Sequence, residues 1–204
     1  MAAMRWSQML YLVAPHLPGC PEPSMETALA ESAAEFCART ALWRAELDAE
    51  LTTAEEHTYE ITPSGAVFEG LPRLRLDGVE IAHVHRDAVP LDLRYQTGKP
   101  TCFAVVSETS IRFYPTPDAA YTYTGEAVLK PGRAATGLEQ FLYEAHAGAI
   151  ASGAISRLML VPQKEWTNPA AAAVHDRLFE RGVDRARIRE SRHVSMRVTP
   201  RPFA

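Results

Sequence analysis

The chain has 204 residues, 47% of them apolar, with a mean hydropathy of −0.16 and a formal net charge of −4, the balance of a soluble folded protein of one or two domains. No apolar stretch reaches the roughly 18 residues that a membrane span needs. Three widely spaced cysteines, Cys20, Cys37 and Cys102, argue against both a disulfide framework and a zinc site and read as reduced thiols in a cytoplasmic protein.

In chain order, WSQMLYLVAPHL suggests a short helix ended by Pro15 and Pro18. Its apolar block is broken by Ser7 and Gln8 and lacks a small-residue cleavage site, which argues against a signal peptide. PGCPEP is a stiff turn. The alanine-rich stretch 24–47 then reads as one helix, with Ser24 as N-cap and Glu26 in the first turn. Leu29, Phe36 and Trp43 recur every seven residues with Ala33 and Cys37 beside them, so the apolar stripe is flanked by small side chains.

From about residue 50 to 130 the period changes to two. HTYEI alternates, RLRLDGVEIAHV reads as a hairpin turning at Asp77-Gly78, and TCFAVV, SIRFY and YTYTGEAVLK give three more strands. Tight turns between them predict a small antiparallel sheet or sandwich. The helical period returns at Gly137. LEQFLYEAHAGAIASGAISRLML has small residues on two faces, VPQKEWTNP breaks it, and Asn168 with Pro169 opens a last helix to about Ser191.

The fold class expected is therefore α+β. Residues 1–48 and 133–190 form a helical bundle of one N-terminal and two C-terminal helices, 49–132 an inserted antiparallel β-module, and 191–204 an extended C-terminal arm. The charge follows this division unevenly. From Arg181 onward seven arginines face Asp184 and Glu190, a balance of +5 that leaves −9 on the first 180 residues. A basic tail on an acidic body suits nucleic acid or an acidic protein groove.

The sharpest enzymatic pattern is His83, His85 and Asp87, since alternate residues of a strand share a face and three such groups could meet a metal. No second cluster supplies further ligands, so a wet strand face accounts for them better. Glu144 and His146 fall on different helix faces, and His175 reads as facing out beside Asp176 and Arg177. No glycine-rich phosphate loop and no nucleophile turn is present; GAIASGAIS lies inside a helix, where glycine permits close packing. No cofactor is expected. Alanine and glycine on more than one face leave two alternatives, tight packing inside one bundle or a second face for another copy of the chain.

Leu17-Pro18-Gly19-Cys20-Pro21, followed by Ala33, Glu35, Phe36, Cys37, Thr40 and Trp43, resembles the opening of head-to-tail adaptor proteins of tailed bacteriophages, similar to tail tubular protein A-like adaptors. Lys130-Pro131, the Ala149-Ile150-Ala151-x-Gly153-Ala154 run and Pro162-x-Lys164-x-Trp166-x-Asn168-Pro169 resemble the second half of that family. The resemblance implies a non-enzymatic virion protein at the head–tail interface. Its copies, commonly twelve, would form a ring under the portal protein, extend the channel for double-stranded DNA and offer a platform for tail, nozzle or tail fibre proteins. It implies a ring interface around Ala33, Phe36, Trp43, Gly153 and Trp166, and a portal-binding arm with Arg192, Arg197, Arg201 and Phe203. Such a ring is heterologous, one face meeting a different face of the next copy. The alternatives are a head-completion connector or tail terminator of a long-tailed phage, a metal-dependent enzyme using His83, His85 and Asp87, and a nucleic-acid binder acting through the arginine-rich tail.

Overall fold

The computed structural model describes residues 3–61, 66–107 and 109–195. In chain order the first elements are β1 (Ala3–Arg5), α1 (Trp6–Met9), α2 (Glu22–Thr40), β2 (Arg44–Leu51), β3 (Thr58–Glu60), β4 (Ala66–Leu76) and β5 (Val79–His83). They are followed by α3 (Leu91–Tyr95), β6 (Cys102–Val105), β7 (Ser110–Tyr114), β8 (Thr122–Pro131), β9 (Gly137–Glu139), α4 (Gln140–Met159) and α5 (Pro169–Ser195). The chain divides into two compact units, residues 1–42 with those from 133 onward, and Trp43–Gly132.

The first unit is built on α2, α4 and α5. The N-cap of α2 lies three residues earlier than the Ser24 predicted from sequence. Pro21 is the N-cap and Pro23 lies in the first turn, where a missing N–H costs nothing because no carbonyl precedes it. The helix also stops at Thr40 rather than at 47. Ala41 takes the left-handed conformation (φ 53°, ψ 28°) and its N–H bonds the carbonyl of Cys37. That geometry closes a helix but is strained for a residue with a Cβ. Arg187 of α5 donates through Nε to the carbonyl of Arg39 at 2.7 Å, filling one of the acceptors that a helix end leaves open.

The three helices approach closely because small residues face one another. Ser32 donates through Oγ to the carbonyl of Ile150, joining α2 to α4 at 2.7 Å. A Cβ on Gly153 would lie 2.3 Å from that same Oγ and 2.7 Å from the Phe179 ring. Further along, a Cβ on Gly182 would lie 2.4 Å from that of Ala149. Leu29, Ala33, Phe36, Cys37, Ile150 and Val183 are wholly buried around these crossings. A charged cluster closes the open side. Arg39 forks onto both Glu180 oxygens at 2.6 and 2.5 Å, reaches Glu35 at 3.1 Å, and Arg157 bonds the second Glu35 oxygen. A two-stranded ribbon of β1 and β9 completes this unit, with Ala3 opposite Glu139.

The second unit departs from the small antiparallel module that the alternating pattern predicts. It is one curled seven-stranded sheet in the order β2-β8-β4-β5-β6-β7-β3. Among the described residues the chain is thus a mixed α/β fold with five α-helices, and the expected helical bundle with a small β-module is corrected. Two features account for the difference. Residues 44–47, read as the end of the helix 24–47, instead open β2, an edge strand that pairs with β8 from Arg44 opposite Val128; cross-strand packing overrides the helical propensity of their alanine, glutamate and leucine. And β5 pairs β6 in parallel, Ala82 beside Cys102, because residues 84–101 carry a 3-10 turn and α3 across the sheet rather than a tight turn. A parallel pair needs a crossover of this length.

Irregular pairing between β4 and β8 around Gly70, and between β2 and β8 at Leu47/Glu50, bends the sheet. The Asp77-Gly78 turn is as predicted, with φ of 50° and 80°, the geometry of a two-residue hairpin. One face of the sheet holds the main core. There the rings of Tyr59, Phe113 and Tyr123 meet edge to face, with centroids 5.2 to 5.7 Å apart. The Tyr123 hydroxyl donates to Glu50, and burial followed by that bond pushes its pKa up. A smaller apolar cluster of Val89, Cys102, Ala104 and Tyr114 lies apart from it.

Gly153→Ala is expected to destabilise the helical unit by about 1–3 kcal/mol through overpacking, seen as a lower urea midpoint by far-UV circular dichroism. Ala41→Gly should raise stability by about 0.5–1 kcal/mol in the same assay, because glycine enters the left-handed region without the Cβ penalty.

Candidate assembly interface

The residues singled out from sequence fall in four settings. Ala33, Phe36 and Gly153 line contacts between the chain's own helices and are buried. Trp43 lies past the end of α2 and packs, half-buried, against the main core of the sheet. Trp166 sits in the α4–α5 loop, half-buried, with its indole N–H unpartnered. Arg192 falls within α5, which runs to Ser195, while Arg197, Arg201 and Phe203 lie outside the described residues. The start of the expected arm is therefore helical through 195.

His83, His85 and Asp87 do not share one strand face. Strand β5 ends at His83, whose ring rests 5.1 Å from Phe103. His85 is the N-cap of the 3-10 turn 86–88, with its Nδ1 3.6 Å from the Asp87 carboxylate. Among the described residues, no three His, Cys, Asp or Glu are placed to hold a metal ion. The thiols of Cys20, Cys37 and Cys102 are free and buried, and burial pushes Cys37 up to about 12.

An open surface of the helical unit lies along α4 and α5. A shallow groove of about 230 Å³ is floored by Gly148, Ala149 and Gly182 and walled by Leu178, Arg181 and Arg185. It continues past Ala145 and His146 toward Arg189. Nothing lies within 4 Å of where a Gly148 Cβ would stand, so this glycine opens the groove instead of spacing two helices. Val174 and Leu178 are 56% and 43% exposed on α5, and Phe141 is 44% exposed on α4. Of these, Leu178 lines the groove itself.

Sequence reasoning passes over this groove, although its signal is present. Arg177, Arg181, Arg185 and Arg189 recur every fourth residue and are all exposed, a row that drifts only about 40° per step around a helix. Two histidines border the unit's interior. His146 packs 5.0 Å from the Phe36 ring, and burial, then Arg189, lowers its pKa. His175, read from sequence as facing out, is half-buried, lies edge-on to His16 with centroids 5.0 Å apart, and is lowered by burial and then by His16.

The small residues of the helical unit close its own helix contacts, and a groove along α4 and α5 stays open beside basic side chains. The chain belongs to the SU10 adaptor protein family, whose model matches residues 4–201. This is consistent with the phage head-to-tail adaptors that its motifs resemble. No curated protein matches it. Among the described residues no helix is long and apolar enough to cross a membrane.

The histidines set a pH dependence. A histidine whose folded pKa lies below its unfolded value of 6.5 contributes stability that is whole above that pH and is lost as pH falls through it. Glu180, held below the usual carboxylate range by its bond from Arg39, adds a second loss only below about pH 4.5. The urea midpoint of the helical unit should therefore drop between pH 7 and 5.5, and the His146→Gln/His175→Gln variant should show a much smaller drop.

Proposed function

We propose that this chain is a head-to-tail adaptor of a tailed bacteriophage, a structural virion protein with no catalytic step of its own. Copies stand side by side in a ring, twelve in number as in adaptors of this kind, beneath the portal protein. The ring lengthens the channel through which double-stranded DNA passes and gives tail or nozzle proteins a surface to dock on. The observation that carries this reading is the family match over residues 4–201.

The geometry supports it in a second way. Ala33, Ser32 and Gly153 are used up inside the chain, yet Gly148, Val174 and Leu178 remain open beside the arginines of α5. That open groove is the face we assign to a neighbouring copy, with Trp166 in the adjoining loop as a candidate anchor. The residues after α5, with Arg197, Arg201 and Phe203, together with Arg192 inside it, are assigned to the portal. Basic side chains there suit an acidic groove.

Gly148 offers a test, since a Cβ at that position meets no atom of its own chain within 4 Å. Gly148→Leu should melt no lower than the parent, because leucine favours the helix over glycine, yet fail to form rings when purified portal is added. Size-exclusion chromatography and negative-stain imaging read the outcome. Parent protein that stays monomeric with portal present would overturn the adaptor assignment. A Gly148→Leu protein that assembles normally would remove the α4–α5 groove from the ring.

A further inference from the structure

A second site lies in the sheet unit, built by the segment that crosses from β5 to β6. Arg86, Arg94, Tyr95, Arg112 and Tyr114 line a pocket of about 220 Å³. Three arginines therefore line one pocket whose wall, among the described residues, includes no carboxylate. Like charges gathered without a counter-charge are unfavourable unless something else neutralises them.

Two of the three arginines are held in place. Arg94 donates through Nε to the carbonyl of Val89 at 3.1 Å, and through Nη2 to those of Arg86 and Asp87 at 3.2 and 3.1 Å. It thereby pins the turn that carries Arg86. Arg112, on β7, lays its guanidinium over the Tyr114 ring 5.2 Å from the centroid, and its buried Nε has no partner. Arg86 is exposed at the mouth. Tyr95 stands 86% exposed beside it, an aromatic side chain with a polar tip of the sort that marks recognition sites. The donors are preorganised, one is unsatisfied, and the free face is aromatic.

We propose that this pocket binds a carboxylate presented by a protein chain, an aspartate or glutamate side chain of a docking segment that lays its neighbouring atoms on Tyr95. An arginine fork suits the planar carboxylate. Nucleic acid fits less well on charge. The sheet unit, residues 43–132, carries 14 Asp and Glu against 8 Lys and Arg, with Asp87 and Asp92 exposed on the crossing segment itself. A single carboxylate can seat among the arginines, whereas a run of phosphates would meet those acids. The site does not depend on the ring or on the α4–α5 groove.

The test is a titration of the full-length chain with an N-acetylated, C-amidated Gly-Ser-Glu-Ser-Gly peptide, which carries one carboxylate, followed by arginine Nε–H NMR signals. Saturable shifts of the Arg112 and Arg94 signals are expected, with binding weakened about tenfold or more in Arg86→Gln/Arg112→Gln. Arg86→Gln alone changes only an exposed side chain, so it should keep the parent's circular dichroism and still bind several-fold more weakly. Inorganic phosphate and a short duplex DNA are run in parallel. No shift on peptide addition, equal binding by the parent and both variants, or tighter arginine-dependent binding of phosphate or of the duplex would each overturn the assignment.

Discussion

The helical unit rests on one geometric constraint, the near-contact of α4 with a helix on each side. Gly153 lets α4 approach Ser32 and Phe179, and Gly182 lets α5 approach Ala149. Helix separation follows from the side chains at the crossing, and everything else in this unit is tuned to that spacing. The Ser32 bond to the Ile150 carbonyl spans two backbones only because they are close. The Arg39, Glu35, Glu180 and Arg157 cluster reaches across three helices for the same reason. Its ions are partly exposed, so it fixes how the helices are aligned more than it adds stability.

The sheet unit solves a different problem. A seven-stranded sheet has two faces to manage, and only one is filled by the large aromatic core. The crossing segment between the parallel strands brings Val89 into a second, smaller cluster with Cys102, Ala104 and Tyr114. Its remaining residues are free to carry charge. The parallel pair is therefore the reason that three arginines are collected in one place, since Arg86 and Arg94 come from the crossover and Arg112 from β7. Topology, not local sequence, assembles that pocket.

How much of this was legible depends on whether the cue is local. The Asp77-Gly78 turn and the Asn168-Pro169 helix start are written in adjacent residues, and both appear as read, with Asn168 Oδ1 accepting from Ala171 at 3.1 Å. The stretch 44–47 misleads because its composition is helical while its fate is decided by β8, some 80 residues away. The crossover misleads because a stretch without period looks like a loop between antiparallel strands. For the assembly face, the alanines and glycines of α2 and α4 are plain in the sequence. Their division into inward and outward sets is not, because it follows from the rotation of each helix against its neighbours. Gly148 and Gly153 lie five residues apart, and one opens to solvent while the other is enclosed.

The pairing of β2 with β8 has a consequence for how such a chain can be altered. Trp43, where the sheet unit begins, accepts a bond from Leu129, and the unit ends at Gly132. Its two ends are thus separated by about three residues of strand, roughly 10 Å. A segment whose ends meet in this way can be excised, or exchanged for another of unrelated sequence, with a short bridge restoring the path from Leu42 to Arg133. The helical unit and the sheet unit can then vary in sequence independently of one another.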